Sequence, residues 1–382
     1  MILPPMLLYL FGSRFLVEGI KTSGLRKKER ESREYMTLKE IASMAGVSVA
    51  TVSYVLNNTA QVSDETRKRV EKIIKETGYR SNILAKSLRR NESFLVGVIV
   101  EDVTVWHTAY IIDGINEIAE ARGYNTILSN LRLLNKIDSQ FDHISNYQKD
   151  IDKALDVMIG MQVDGIIYVG MHDRKISHIL GNIKKPVVYC YCYTDGEGSS
   201  VRYSNEKTVY HMTKMLIENG HRELGVINGL KESEPAALRY NGFLKALNEA
   251  GITMKEENIT CGNWKYREGK EAAQKLLNKS GHPTAIVAMN DDMAVGVCDA
   301  ARELGLKVPD DVSVTGFDNS DIIQYVTPRI TTVERPLQEM GYRAMELLLA
   351  NVGGVSVGDV SITLPCTLIE GESIKKLNQE NR

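Results

Sequence analysis

Beyond Ser93 the chain alternates between short apolar runs and longer amphipathic stretches, and no other feature restricts its possible folds as much. The runs are FLVGVIV (94–100), NTILSN (125–130), DGIIYVG (164–170), PVVYCYC (186–192), ELGVIN (223–228), AIVAMN (285–290) and VSVTGFD (312–318). Between them lie segments such as YIIDGINEIAEARG and AAQKLLNKSG, whose apolar residues repeat at helical spacing. Strand, helix, strand in succession predicts parallel sheets covered on both faces by helices. The alternation runs on for longer than one such sheet requires, so two lobes are expected. Ligands of such lobes sit beyond the carboxyl ends of the strands.

The preceding segment has a different texture. Leu38, Ile41, Ala42 and Ala45 repeat at helical spacing, Gly46 breaks the run, and Ser48 is placed to cap a second helix with Val52, Val55 and Leu56 on its inner face. A third helix is predicted from Ser63-Asp64-Glu65, where acids suit the helix dipole, with Val70, Ile73 and Ile74 inside and Gly78 at its end. Three short helices with a tight turn between the first two make a helix-turn-helix. The second helix, in VSVATVSYVLN, turns Ala50, Ser53, Tyr54 and Asn57 outward with no charge among them. Surface helices usually carry Lys and Glu there. Small hydroxyls, an amide and a phenol suit contact with another polar surface, either DNA or the rest of the protein.

Charge separates the two parts. Residues 36–92 carry a net +4 and residues 1–35 a net +3, leaving −9 on residues 93–382 of a chain whose total is −2. A basic head on an acidic body reads as a polyanion-binding module joined to something that does not bind polyanions. The five cysteines, Cys190, Cys192, Cys261, Cys298 and Cys366, are odd in number and lie in apolar runs, as in a reduced cytoplasmic chain. Cys190 and Cys192 alternate in a strand-like run and are expected to share one face, with no His or second Cys pair near them to complete a metal set. Residues 1–35 lack basic residues ahead of the apolar run that opens them, and Pro4-Pro5 and Arg14 interrupt it, so neither a secretory signal nor a membrane span is expected. They are expected to lie outside the fold, with translation starting at Met36.

In helix-turn-helix proteins the second helix enters the major groove, where each base pair shows its own donor and acceptor pattern. Val49 and Ala50 are placed to touch a thymine methyl, and Tyr54 to reach a base edge or phosphate. Ser48, Thr51, Ser53 and Asn57 suit backbone phosphates. The basic segment SNILAKSLRRN (81–91) is capped by Ser81 or Asn82 and carries Leu84 and Leu88 at i, i+4 spacing, with Lys86, Arg89 and Arg90 as phosphate partners. Leu88 is placed to act as a minor-groove wedge; alternatively, both leucines cover the first strand of the core.

The order of these motifs resembles the lactose/galactose repressor (LacI/GalR) family. TLKEIASMAGVSVATVSYVLN, then VSDETRKRVEKIIKETGY and the basic AKSL, look like that family's DNA-binding head and hinge. NGHRELGVING, LRYNGF, MNDDMAVG, GFDN and ITTVERP resemble its core signatures, in order, from Met36 to about Glu372. The resemblance implies an all-α helix-turn-helix head (36–80) and a hinge helix (81–92). These are joined to an α/β two-lobed periplasmic-binding-protein-like core (93–375) with a short tail (376–382). It implies DNA contacts at Thr37, Ser48, Val49, Ala50, Thr51, Ser53, Tyr54, Asn57, Ser63, Thr66, Tyr79, Asn82, Lys86 and Leu88.

The resemblance also implies a small-molecule effector, usually a sugar, bound by Arg239, Asn290 and Asp318 and covered by Trp264. Two departures stand out. Tyr191 occupies a position where many members have an effector-binding Asp, and Val105-Trp106-His107-Thr108 replaces NPFF. Trp106 and His107 are expected to add aromatic surface, which suits a bulkier ligand such as a di- or oligosaccharide. The expected partners are thus double-stranded DNA with a near-palindromic operator, a sugar or glycoside, and a second copy of the chain, with no membrane and no cofactor. Catalysis is the rival class. A glycosidase needs two carboxylates across a cleft, whereas Asp291-Asp292 sit at a predicted helix start where capping explains them. There is no GxSxG or HExxH, and the seven His lack ligand spacing. A transport sugar-binding protein would share the core but not the head.

Overall fold

The computed structural model describes residues 36–57, 62–79, 92–137, 140–181, 183–196, 198–354 and 358–377. Residues 1–35 and most of the hinge, including Asn82, Lys86 and Leu88, lie outside the described residues, so the expectations placed on them do too. The chain divides into two compact units, a head and a core.

The head is three helices, α1 (Leu38–Ala45), α2 (Val49–Asn57) and α3 (Asp64–Thr77). Each boundary has a local cause. Thr37 and Glu40 form a reciprocal capping box at the start of α1, and Gly46 ends it at φ 64°, a conformation glycine adopts without strain. Ser48 Oγ accepts from the Thr51 N–H at 3.1 Å, and Ser63 caps α3, which ends at Gly78. Ile41, Ala42, Ala45, Val52, Val55 and Val70 form a small buried core, with Leu38, Leu56, Ile73 and Ile74 packed around it, as the helical spacing predicts.

The core opens with β1 (Leu95–Val100), α4 (Trp106–Ala121), β2 (Asn125–Asn130), α5 (Gln148–Gly160), β3 (Gly165–Val169), β4 (Val187–Cys190) and β5 (Ser199–Tyr203). It continues with α6 (Glu206–Glu218), β6 (Leu224–Asn228), α7 (Glu234–Glu249), β7 (Ile259–Cys261), α8 (Tyr266–Leu277), β8 (Ala285–Ala288), α9 (Asp291–Glu303) and β9 (Ser313–Thr315). It closes with β10 (Thr332–Glu334), α10 (Leu337–Val352), β11 (Ser361–Leu364) and β12 (Thr367–Ile369). Two parallel sheets result, one in the order β2-β1-β3-β4-β5-β11 and the other β7-β6-β8-β9. All seven expected strands are present.

The chain passes between the lobes three times: from β5 into α6, from β10 into α10, and from β11 into β12, which pairs antiparallel with β10. Each lobe is therefore built from separate stretches of chain. Helix α10 returns from the second lobe to pack on β3, β4, β5 and α4. Strand β5 escapes the apolar pattern because its buried positions include Ser199 and Ser200, whose hydroxyls are paired with Gly358 O and Ser361 Oγ.

Side chains of the first sheet alternate between two buried clusters, as strand geometry requires. Val188 and Cys190 enter one cluster, Val187 and Tyr189 the other. Continued alternation would return Cys192 to the side of Cys190. Instead Tyr191 takes the left-handed φ of 60°, joins the cluster of Cys190, and sends Cys192 to the opposite one. The expectation that both thiols share a face is thus corrected: the strand stops at Cys190 and one turned residue reverses the parity.

Candidate functional site

On the head, Ala50 and Tyr54 stand outward, with Tyr54 45% exposed, whereas Val49 is half-buried against the head core. Ser48 is exposed, and its hydroxyl also pairs with Thr51 Oγ1 at 2.9 Å; Ser63 Oγ donates to Thr66 Oγ1 at 2.9 Å. Thr37, Ser48 and Ser63 therefore each serve a helix N-terminus first. A capping hydroxyl still holds a second lone pair, and a helix N-terminus favours an anion such as phosphate. The ring of Tyr79 packs on the head core, where burial raises the pKa of its phenol. Ser53 is half-buried, and Asn57 is the last residue of α2.

In the core, a cleft of about 340 Å³ lies at the carboxyl ends of the strands, near the lower end of the range for small-molecule sites. Trp106, His107, Tyr191, Arg239, Trp264, Asn290 and Asp318 all line it, so every effector residue expected from the sequence converges there. Phe141, His172, Tyr203, Asp292 and Arg335 join them and were not foreseen. Arg335 stands in the quoted ITTVERP, but nothing in that string says that its guanidinium turns inward. Tyr203 ends β5, a strand the apolar pattern does not reveal.

Asp318 is shared by two cations. Arg335 Nε lies 3.0 Å and Arg239 Nη2 4.0 Å from its carboxylate. Burial raises the pKa of Asp318 against the opposing pull of Arg335 and Arg239. The Arg335 guanidinium donates to Tyr191 Oη and lies 4.8 Å from the centre of the Trp106 ring. Arg239 Nε donates to Asn205 Oδ1 at 2.9 Å, Nη2 donates to Tyr203 Oη at 3.0 Å, and Nη1 donates to Met289 O. Its guanidinium is 3.6 Å from the centre of the Phe317 ring. Since Asn205 lies in the crossover from β5 to α6, Arg239 ties the cleft to a segment that joins the lobes.

Asn290, which lines the cleft, also has a local structural task. Its Oδ1 accepts from Met293 N at 3.0 Å and caps α9, and its Nδ2 donates to Trp264 O at 3.0 Å. It thus caps the helix at the start of which Asp291 and Asp292 sit, and it positions the Trp. The capping expected of Asp291 is corrected accordingly. Its carboxylate turns inward to accept from Ser320 N at 2.7 Å, Ser320 Oγ and Thr332 Oγ1, and burial, aided by the charge of Asp318, raises its pKa to about 7. Asn263 and Trp264 take consecutive left-handed φ values of 50° and 66°. The Trp264 ring occupies the space above Gly229, where a Cβ would fall 2.0 Å from it.

His107 is 6% exposed and stacks on Tyr191 at 4.4 Å between ring centroids. Burial, with the nearby Arg335 and His172, holds its pKa well below the usual imidazole range. His172 is likewise held down, to about 3, by burial and by Arg174, Arg239 and Arg335, and its Nε2 pairs with Ser233 Oγ at 2.8 Å. The rings that line the cleft are therefore uncharged at neutral pH. Among the described residues no His, Cys, Asp and Glu group has metal-site geometry, and no helix is long and apolar enough to cross a membrane.

Comparison with known proteins agrees with both units. Residues 37–82 match the bacterial regulatory proteins of the lacI family, and residues 213–374 match a periplasmic binding protein-like domain. The HTH-type transcriptional repressor PurR of Erwinia tasmaniensis is 35% identical over 340 residues, covering 88% of this chain and 96% of the relative. CytR of Escherichia coli is 33% identical over 92% of this chain and 99% of its own length. Among solved structures, the Lac repressor dimer bound to operator and the anti-inducer ONPF superposes with a TM-score of 0.74 at 25% identity, covering 90% of this chain and all of that one. A complex of the regulator CelR with cellobiose superposes at 0.60 with 27% identity, over 88% and 99% of the two chains. With relatives of this identity matched along nearly their whole length, and with a head and a cleft built as described, the chain belongs to the LacI family of bacterial transcriptional regulators.

Proposed function

We propose that this protein is an operator-binding repressor whose hold on DNA is set by a sugar or glycoside in the cleft. The supporting observation is the convergence there of Arg239, Asp318 and Trp264 from three separate segments. Carboxylate and guanidinium groups can bind hydroxyls, while the aromatic faces of Trp264, Trp106 and Tyr191 can cover the apolar side of a pyranose. The neighbours solved with ONPF and cellobiose support the same ligand class. Val49, Ala50 and Tyr54 would read bases, and Thr37, Ser48, Thr51, Ser53, Asn57, Ser63, Thr66 and Tyr79 would hold phosphates. Asn82, Lys86 and Leu88 would form a hinge that orders on DNA against its twin in a homodimer, with Leu88 opening the central base step.

For the sugar to release DNA, it must bind the DNA-free lobe arrangement better than the DNA-bound one. The reading places the protein in the cytoplasm and gives it no catalysis. The buried Asp291 carboxylate serves structure, toward Ser320 and Thr332, while Asp318 is held by Arg335 for ligand binding. The test is a mobility-shift selection on genomic fragments followed by a sugar panel. A near-palindromic site should be selected and released by one class of sugar. Trp264→Ala should keep operator affinity within about threefold and weaken the sugar by at least about tenfold. Failure to select any DNA site sinks the role of the head, and an unchanged sugar response in Trp264→Ala sinks that of the cleft.

A further inference from the structure

The polar atoms of the cleft are unevenly satisfied, and the imbalance specifies the charge of what enters. Both cations are already engaged. Arg335 is held by Asp318 and Tyr191, and Arg239 by Asn205, Met289 O, Tyr203 and Asp318. With Asp292 as the second carboxylate, the four charged groups lining the cleft sum to zero.

One acceptor and two donors remain unmet, since Arg335 Nε, though 3.0 Å from Asp318, makes no hydrogen bond. His107 is buried and hydrogen-bonds the Met171 backbone, while its Nε2 has no partner. A ring that donates to a carbonyl from Nδ1 and stays neutral presents Nε2 as a bare lone pair; this tautomer follows from the bonding pattern. The carboxylate of Asp292, which lines the cleft from the second lobe, adds further lone pairs. Trp264 Nε1 is an unpaired buried donor. Leaving such groups unpaired in a desolvated site is costly, so the ligand must bring donors to the acceptors and an acceptor to the indole. A hydroxyl does both, whereas an ionised carboxylate or phosphate dianion only accepts, leaves His107 Nε2 unmet and enters a cleft whose two cations are already offset by two carboxylates.

We propose that the cleft selects uncharged, hydroxyl-rich effectors over anionic ones, and that His107 Nε2 is the acceptor that reads a ligand hydroxyl. The inference deepens the sugar reading and rests on it. Its test is titration calorimetry on the full chain with pairs that differ by charge. These are cellobiose against cellobiose 6-phosphate, methyl β-glucoside against the corresponding glucuronide, and adenosine and cytidine against their 5′-monophosphates. In any pair that binds, the uncharged member should bind at least about tenfold more tightly. His107→Leu should weaken it by about tenfold, and His107→Gln, which still offers an acceptor, should retain more of it. A tighter charged member overturns the proposal. So does an uncharged ligand held equally by the parent and by a His107→Leu protein of unchanged melting temperature. Binding confined to the nucleosides overturns the sugar reading alone, because charge selection is then judged on those same pairs. No binding by any uncharged member overturns charge selection.

Discussion

The head and the core solve the problem of polar groups in opposite ways. In the head, hydrogen bonds such as Thr37 with Glu40, Ser48 with Thr51 and Ser63 with Thr66 span three residues, and most of these groups are exposed. In the core, charged groups are buried and partnered over long separations, as Arg174 with Glu101 at 3.0 Å and Arg335 with Asp318. Local caps each contribute about 1 kcal/mol and can be lost singly. Buried charges are costly to separate, because removing one leaves the other unpaired in a low dielectric. The head is therefore tolerant of single polar changes, whereas the core is vulnerable to the loss of one buried charge.

Three experiments would break or sharpen that contrast. Ile41→Ala empties the centre of a head core of six buried residues and should cost about 2–5 kcal/mol. Operator binding should vanish while the main calorimetric transition of the core stays in place; a shifted core transition would show that the units are not separable. Second, Asp291 has a folded pKa near 7, above its unfolded value of about 3.9, so the folded state binds the extra proton between those limits. Stability from this group is present at low pH and falls as pH rises towards 7, by about 2–4 kcal/mol in all. The core should melt at a higher temperature at pH 5 than at pH 8, Asp291→Asn should flatten the slope, and a slope unchanged in the variant would assign it to other carboxylates. Third, Gly229→Ala places a methyl where the Trp264 ring lies, and overpacking of this kind costs about 1–3 kcal/mol. Effector affinity should fall by about tenfold to a hundredfold with operator affinity intact; equal effector binding would show that the Trp can move at no cost.

The same contrast explains what could be read from the sequence. Caps, breaks and apolar periodicity are local, so the three helices of the head and the seven principal strands of the core were legible. Arg239, Trp264 and Asp318 were named through family resemblance, and all three line one cleft. What escaped depended on non-local or single-residue geometry. Asn290 was named as an effector contact, and its bonds to Met293 N and Trp264 O, which cap α9 and position the Trp, were not visible in the sequence. Arg335 stood in the quoted ITTVERP with no role assigned, and its burial is visible only once β10 is set beside Asp318. Tyr191 reversed the parity of its strand through one backbone angle that no alternation rule encodes.

The separate stretches of chain in each lobe bear on the order in which the molecule can be made. Ser200 on β5 pairs with Ser361 on β11, a separation of 161 residues, with the whole second sheet between them. A ribosome releases the chain from its N-terminus, so β1 to β5 emerge early yet wait for an edge strand and for α10, both of which come near the end. Contacts of such range are slow to close and leave strand edges exposed meanwhile. The first lobe is thus the first to be started yet is closed only near the end of synthesis, and a prematurely terminated chain would carry a finished DNA reader on an unfinished sensor.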